Sequence, residues 1–145
     1  MPFLSAPDAV QLSHVISEAT APAFVLGAVA GFVSILVGRL TAVIERIRHL
    51  NDIADDEPSR AHLKSDLPRL RRRADLLINA TRLALASGVS TALLLAVGFG
   101  SALLRLQHVY GAATLFLVTV ILLGAALLRF GQEVGIGLSE ADHYR

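Results

Sequence analysis

Cysteine and tryptophan are absent from this chain of 145 residues, and charge is scarce, with only 17% of positions Asp, Glu, Lys or Arg. Lack of cysteine excludes disulfides, thiolate metal ligands and a thiol nucleophile together. An ordinary soluble domain carries about a quarter of its residues charged, so the shortfall points away from water. Catalytic signatures are missing as well. No GxSxG elbow, HExxH pair or P-loop occurs, Gly98-Phe99-Gly100 and Gly135-Ile136-Gly137 lack the third glycine of a dinucleotide fingerprint, and the five histidines are scattered at 14, 49, 62, 108 and 143. The sequence reads as a non-enzyme with no cofactor.

Where charge vanishes altogether the chain is most informative. Thr20 to Gly38, Leu83 to Leu104 and Val109 to Leu128 contain no Lys, Arg, Asp, Glu or His over 19, 22 and 20 residues. A helix rising about 1.5 Å per residue makes each run roughly 28 to 33 Å long, enough to cross a hydrocarbon core of about 30 Å. The expectation is an all-α integral membrane protein with three transmembrane helices, surrounded by the lipid bilayer. With six Phe and two Tyr the interfacial belt is sparse, and Tyr110 and Phe130 at the ends of the third run are its obvious members.

Basic residues are unevenly placed although the net charge is only +1. Ten of the 13 lie from Arg39 to Arg82, and none falls in the first 19 residues. The positive-inside rule then puts residues 39–82 and the C-terminus in the cytoplasm, with the N-terminus outside. The first run follows an acidic or neutral segment and ends in Arg39, unlike a cleaved signal, so it reads as a retained anchor.

The chain divides as one membrane domain over 1–145. Residues 1–19 form an outer amphipathic segment, with Thr20 and Pro22 at the start of the first span. The spans cover 20–38, 83–104 and 109–128, and 129–145 is a cytoplasmic tail too short and polar to fold alone. Between the first two spans, Leu40, Val43, Ile47 and Leu50 recur at three and four residues, as do Leu63, Leu67, Leu70, Ala74 and Leu77. Asp55, Asp56, Glu57 and Pro58 break this seam, and Asp66 and Pro68 restart it, so 39–82 is predicted to be an antiparallel helical hairpin extending the first two helices into the cytoplasm. Arg105 to His108 leave room only for a tight outer turn.

Small residues recur on the first two spans. Ala23, Gly27, Gly31, Ser34 and Gly38 share one helix face, and Ala84, Gly88, Thr91, Gly98 and Ala102 repeat the spacing on the second. The third span is bulkier, which predicts packing of the first two against each other and a peripheral third. The Gly27 ridge either packs helix on helix or lines a narrow pore in an oligomer. His14 and Glu18, four apart, are a candidate outer mouth able to sense protons or meet a cation. They also suit a solvated polar face, because two ligands make a weak metal site. Arg39, Arg69, Arg72, Arg73 and Arg82 are candidates for a cytoplasmic vestibule or for headgroup contact, against the plainer reading of Arg69 to Arg73 as a solvated, topology-setting face. Nucleic acid is an unsuitable partner, since no aromatic residues interleave with these arginines and the acidic turn repels phosphate.

The segments ATAPAFVLGAVAGFV entering GRLTAVIERIRHL, LPRLRRRADLLINATRLAL leading into the second span, and the closing LLRFGQEV resemble an uncharacterised bacterial membrane family, the domain of unknown function numbered 2721. The resemblance covers nearly the whole chain and implies three spans in a bacterial inner membrane with long cytoplasmic helices, without catalytic residues. Two functional classes follow from the residues. One is a homo-oligomer forming an ion channel or permeation path, because three short spans enclose no route alone. The other is a membrane adaptor or scaffold whose cytoplasmic hairpin docks a partner protein.

Overall fold

A computed structural model describes residues 9–53, 62–104 and 109–143. They form α1 (Ala9–Asn51), a short 3-10 turn (His62–Asp66), α2 (Leu67–Leu104) and α3 (Val109–His143). The expected acidic turn at Asp55 to Pro58 and outer turn at Arg105 to His108 lie outside the described residues.

Each apolar run is embedded in a longer helix. Helix α1 has 43 residues, so it is roughly 65 Å long, about twice a hydrocarbon core. Three stretches, Ala19–Asn51, Leu63–Ser101 and Tyr110–Ser139, are long and apolar enough to cross a membrane. Proline interrupts little. Pro68 occupies the first turn of α2, where a missing N–H is harmless, as the sequence predicts.

At both ends the helices run on past the expected spans. No break separates an N-terminal segment from the first span: α1 runs unbroken from Ala9, and Pro22 is an interior residue. Thr20 does not cap. Its Oγ1 donates to the Ile16 carbonyl at 3.0 Å, a bond open to a threonine inside a helix. At the other end, residues 129–143 are helical and continue α3. Nothing in the sequence from Arg129 onward stops a helix, because the glycines there are isolated and no proline follows. Docking on α2 supplies what propensity lacks.

Helix α2 is the centre of the molecule, flanked by α1 and α3, and 28% of its apolar window is buried against 11% for each neighbour. The expectation of a peripheral third helix is thereby corrected: α3 packs along α2 as α1 does. Buried positions explain the packing. On α1 they are Val29, Leu36, Val43 and Leu50, on α3 Thr119, Ala126 and Glu133, in both cases seven residues apart. Helix α2 carries two such stripes, Leu70, Leu77, Ala84 and Thr91, and beside it Ala80, Ser87 and Leu94. Ser87 donates to the Thr119 carbonyl of α3 at 3.0 Å, and Ser90 to the Leu115 carbonyl at 3.2 Å, so the second stripe faces α3. Gly88, one turn after Ala84, faces α1. A Cβ there would sit 3.3 Å from Cγ1 of Val29, so glycine allows the close approach. A seven-residue repeat gives coiled-coil packing, with a left-handed twist.

The interior is uneven along its length. Most of the apolar core lies where the hairpin seam was predicted, with Val43, Leu50, Leu70, Ala74 and Leu77 buried together and Leu40, Ile47, Leu63 and Leu67 packed against them. Within the spans the core thins, and large side chains such as Phe24, Ile35, Leu93, Phe116, Leu117 and Ile121 are exposed. Such a surface suits lipid. In hydrocarbon there is no hydrophobic drive to bring helices together, so close contact and hydroxyl-to-carbonyl bonds take over.

Candidate functional site: a charge cluster joining three helices

Glu133 is the deepest ionisable group described, with no exposed surface. It follows the last residue of the third apolar run by five positions, and the Thr119 to Ala126 stripe carries it onto α2. Arg73 of α2 meets it there. The Arg73 Nε donates to Oε1 at 3.0 Å and its Nη2 lies 2.9 Å from the same oxygen, so one guanidinium edge closes on a single atom. Arg39 of α1 arrives from the other side, with Nη2 donating to Oε1 at 3.4 Å and lying 3.2 Å from Oε2. Oε2 nonetheless accepts no hydrogen bond. The Arg39 contact to it is a charge contact without the alignment of a bond, and Arg73 is the stronger partner.

Local residues make room and fix geometry. Gly137, one turn beyond Glu133, leaves the space that Arg73 occupies, for a Cβ there would come within 3.2 Å of Nη2. The Arg39 guanidinium lies over the Phe130 ring, 5.4 Å from its centroid, and Phe130 meets Phe32 edge to face at 5.6 Å and 76°. Cation–π and aromatic contacts orient the guanidinium as well as attract it. Desolvating a carboxylate costs several kcal/mol, so Glu133 is tolerable only with Arg73 in place, and removing that partner costs about 3–5 kcal/mol. Among the described contacts, one carboxylate faces two guanidinium groups, and only the Arg39 group is more than a third exposed.

The other sequence-predicted positions separate from this cluster. Of the five arginines, Arg39 and Arg73 come together, while Arg69, Arg72 and Arg82 are exposed elsewhere on α2. Ala23, Gly27, Gly31, Ser34 and Gly38 form one exposed face of α1, opposite the stripe from Val29 to Val43. A Cβ added at Gly27, Gly31 or Gly38 would meet nothing within 4 Å. The ridge therefore does not pack α1 on α2. On the second span Ala84, Gly88 and Thr91 do face the interior, whereas Gly98 is exposed. His14 is exposed on the first turns of α1, and the Glu18 side chain lies outside the described residues.

Glu133, Phe130 and Phe32 are the parts of the site that sequence reasoning missed as a unit. A usable signal was present in the seven-residue spacing of Thr119, Ala126 and Glu133, which continues a helix face past the apolar run. Three helices of membrane-spanning length, tied by a buried carboxylate between two arginines, define a multi-helix membrane protein. The chain belongs to the family described as Protein of unknown function (DUF2721), which matches residues 19–142. No curated protein and no solved structure matches it.

Proposed function

We propose that this protein assembles in the membrane as a homo-oligomer and forms a permeation path for ions, with α1 as the helix shared between protomers. One observation carries the reading: the small-residue face of α1 is open on the side away from α2 and unused by its own chain. Close helix approach in lipid depends on such faces. A single protomer has little to conduct through, because its buried Ser87 and Ser90 hydroxyls donate to carbonyls of α3 and Thr91 donates to the Ser87 carbonyl of its own helix. In the proposed assembly the Arg39 to Arg82 region lies in the cytoplasm of a bacterial cell, and His14 and Glu18 form the outer mouth.

The adaptor reading loses its main support. A docking stripe must be exposed, and Leu50, Leu70 and Leu77 of the seam are buried within the hairpin itself. Purified protein in a planar bilayer tests the proposal. Wild type should pass current, Gly31→Leu should not, and Glu18→Gln should shift ion preference by removing one negative charge per protomer. Well-folded wild-type protein that passes no current in several lipids would overturn the conducting role.

A further inference from the structure

We infer that Arg39 is a binding site for the phosphate of an anionic phospholipid headgroup, held at the end of the bundle where α1 leaves the apolar run. The inference does not depend on oligomerisation or conduction. Arg39 has five N–H donors, and in the described structure only Nη2 reaches Glu133; Nε and Nη1 make no hydrogen bond. Its side chain is 39% exposed, compared with 16% for Arg73 and none for Glu133. The cluster thus has an inner carboxylate already engaged by Arg73 and an outer guanidinium edge facing the surroundings.

Three features select a lipid phosphate for that edge. Position comes first: Arg39 directly follows the uncharged run from Thr20 to Gly38, at the depth of the headgroups if the run fills the hydrocarbon core. Charge comes second, because the part of the Arg39 guanidinium that does not reach Glu133 attracts the single negative charge of a phosphodiester, and a headgroup with its own ammonium competes for that phosphate. The third feature is preorganisation. Stacking on Phe130 and contact with Glu133 hold the guanidinium plane, so little side-chain freedom is lost on binding, and a planar fork suits phosphate oxygens. Exposed Ile35, one turn earlier on the same side of α1, offers apolar surface to an acyl chain. Arg82, exposed at the edge of the second run, has no contact of this kind with Glu133 or Phe130.

Native mass spectrometry of the intact chain, released from detergent with added lipid, tests the site. Phosphatidylglycerol should bind wild type more tightly than phosphatidylethanolamine. Arg39→Gln should weaken phosphatidylglycerol binding by about tenfold, the size of one charge-assisted hydrogen bond, and Arg39→Lys should fall between the two. Arg82→Gln should leave it unchanged. Arg73 still neutralises Glu133 in the Arg39 variants, and a helical circular dichroism spectrum matching wild type checks that they fold. Equal binding of the two lipids, or equal losses in Arg39→Gln and Arg82→Gln, would overturn the site. Competition by deacylated glycerophosphoglycerol at the same concentration would overturn the lipid as its source, in favour of a soluble anion.

Discussion

Glu133 concentrates the energetics of the fold in one side chain. It has no exposed surface and two guanidinium partners, so Glu133→Gln leaves Arg39 and Arg73 turned toward each other without a counter-charge. The expected cost is about 3–5 kcal/mol in unfolding by denaturing detergent. Arg73→Met should cost nearly as much, because the better of the two contacts is lost and a buried carboxylate stays behind. Combining Arg73→Met with Glu133→Leu should be less damaging than the sum of the single changes, since both buried charges leave together. An additive double variant would mean that Arg73 and Glu133 do not stabilise one another. Arg39 contributes less to stability, because its exposure lets solvent compensate.

Helices in this molecule recognise one another through a seven-residue repeat, and glycine has opposite roles on a face beside it and a face away from it. Gly88 faces Val29 across a close contact, so Gly88→Leu should separate α1 from α2 and lower stability by about 1–3 kcal/mol. Gly31 faces open space, and Gly31→Leu should leave the protomer's unfolding midpoint unchanged within error. Equal destabilisation by both would contradict the placement of the two faces. Ser87→Ala should cost only about 0.6 kcal/mol, as typical of hydroxyl bonds between membrane helices. Legibility in the sequence followed the contrast between apolar and polar residues. In the stalk, the helical hairpin over 39–82, Val43, Leu50, Leu70 and Leu77 stand among charged neighbours, so the seam is readable. Inside the spans Val29, Leu36 and Ala84 stand among equally apolar neighbours, and hydropathy cannot tell a helix-facing residue from a lipid-facing one. The same limit hid the role of α3, whose bulky lipid-facing residues outweigh Thr119 and Ala126. Glu133 looked like part of a polar tail because a carboxylate's partners are set by tertiary packing, while Arg39 and Arg73 stood out by charge without revealing that they meet.

As a whole the molecule is lopsided, with a packed stalk at one end and thinly packed spans at the other. Orientation is the first thing to test at this scale. Single cysteines placed at Ser5 and Gln107 should react with an impermeant thiol reagent in intact cells and one at Ser59 should not, a clean experiment in a chain without native cysteine. Labelling at Ser59 without permeabilisation would reverse the orientation drawn from the basic residues. The thin interior of the spans bears on assembly. Exposed small residues from Ala23 to Gly38 cover little lipid-facing volume of their own and leave α1 with one face that another helix can approach closely. Since Gly31→Leu does not touch the protomer's own packing, its effect on association can be read without a folding defect. The most direct test of the account is the mass of the detergent-solubilised protein by light scattering, corrected for bound detergent. Wild type should run as a defined multimer and Gly31→Leu as a helical monomer, whereas a monomeric wild type, or a multimer indifferent to Gly31→Leu, would contradict assembly through α1.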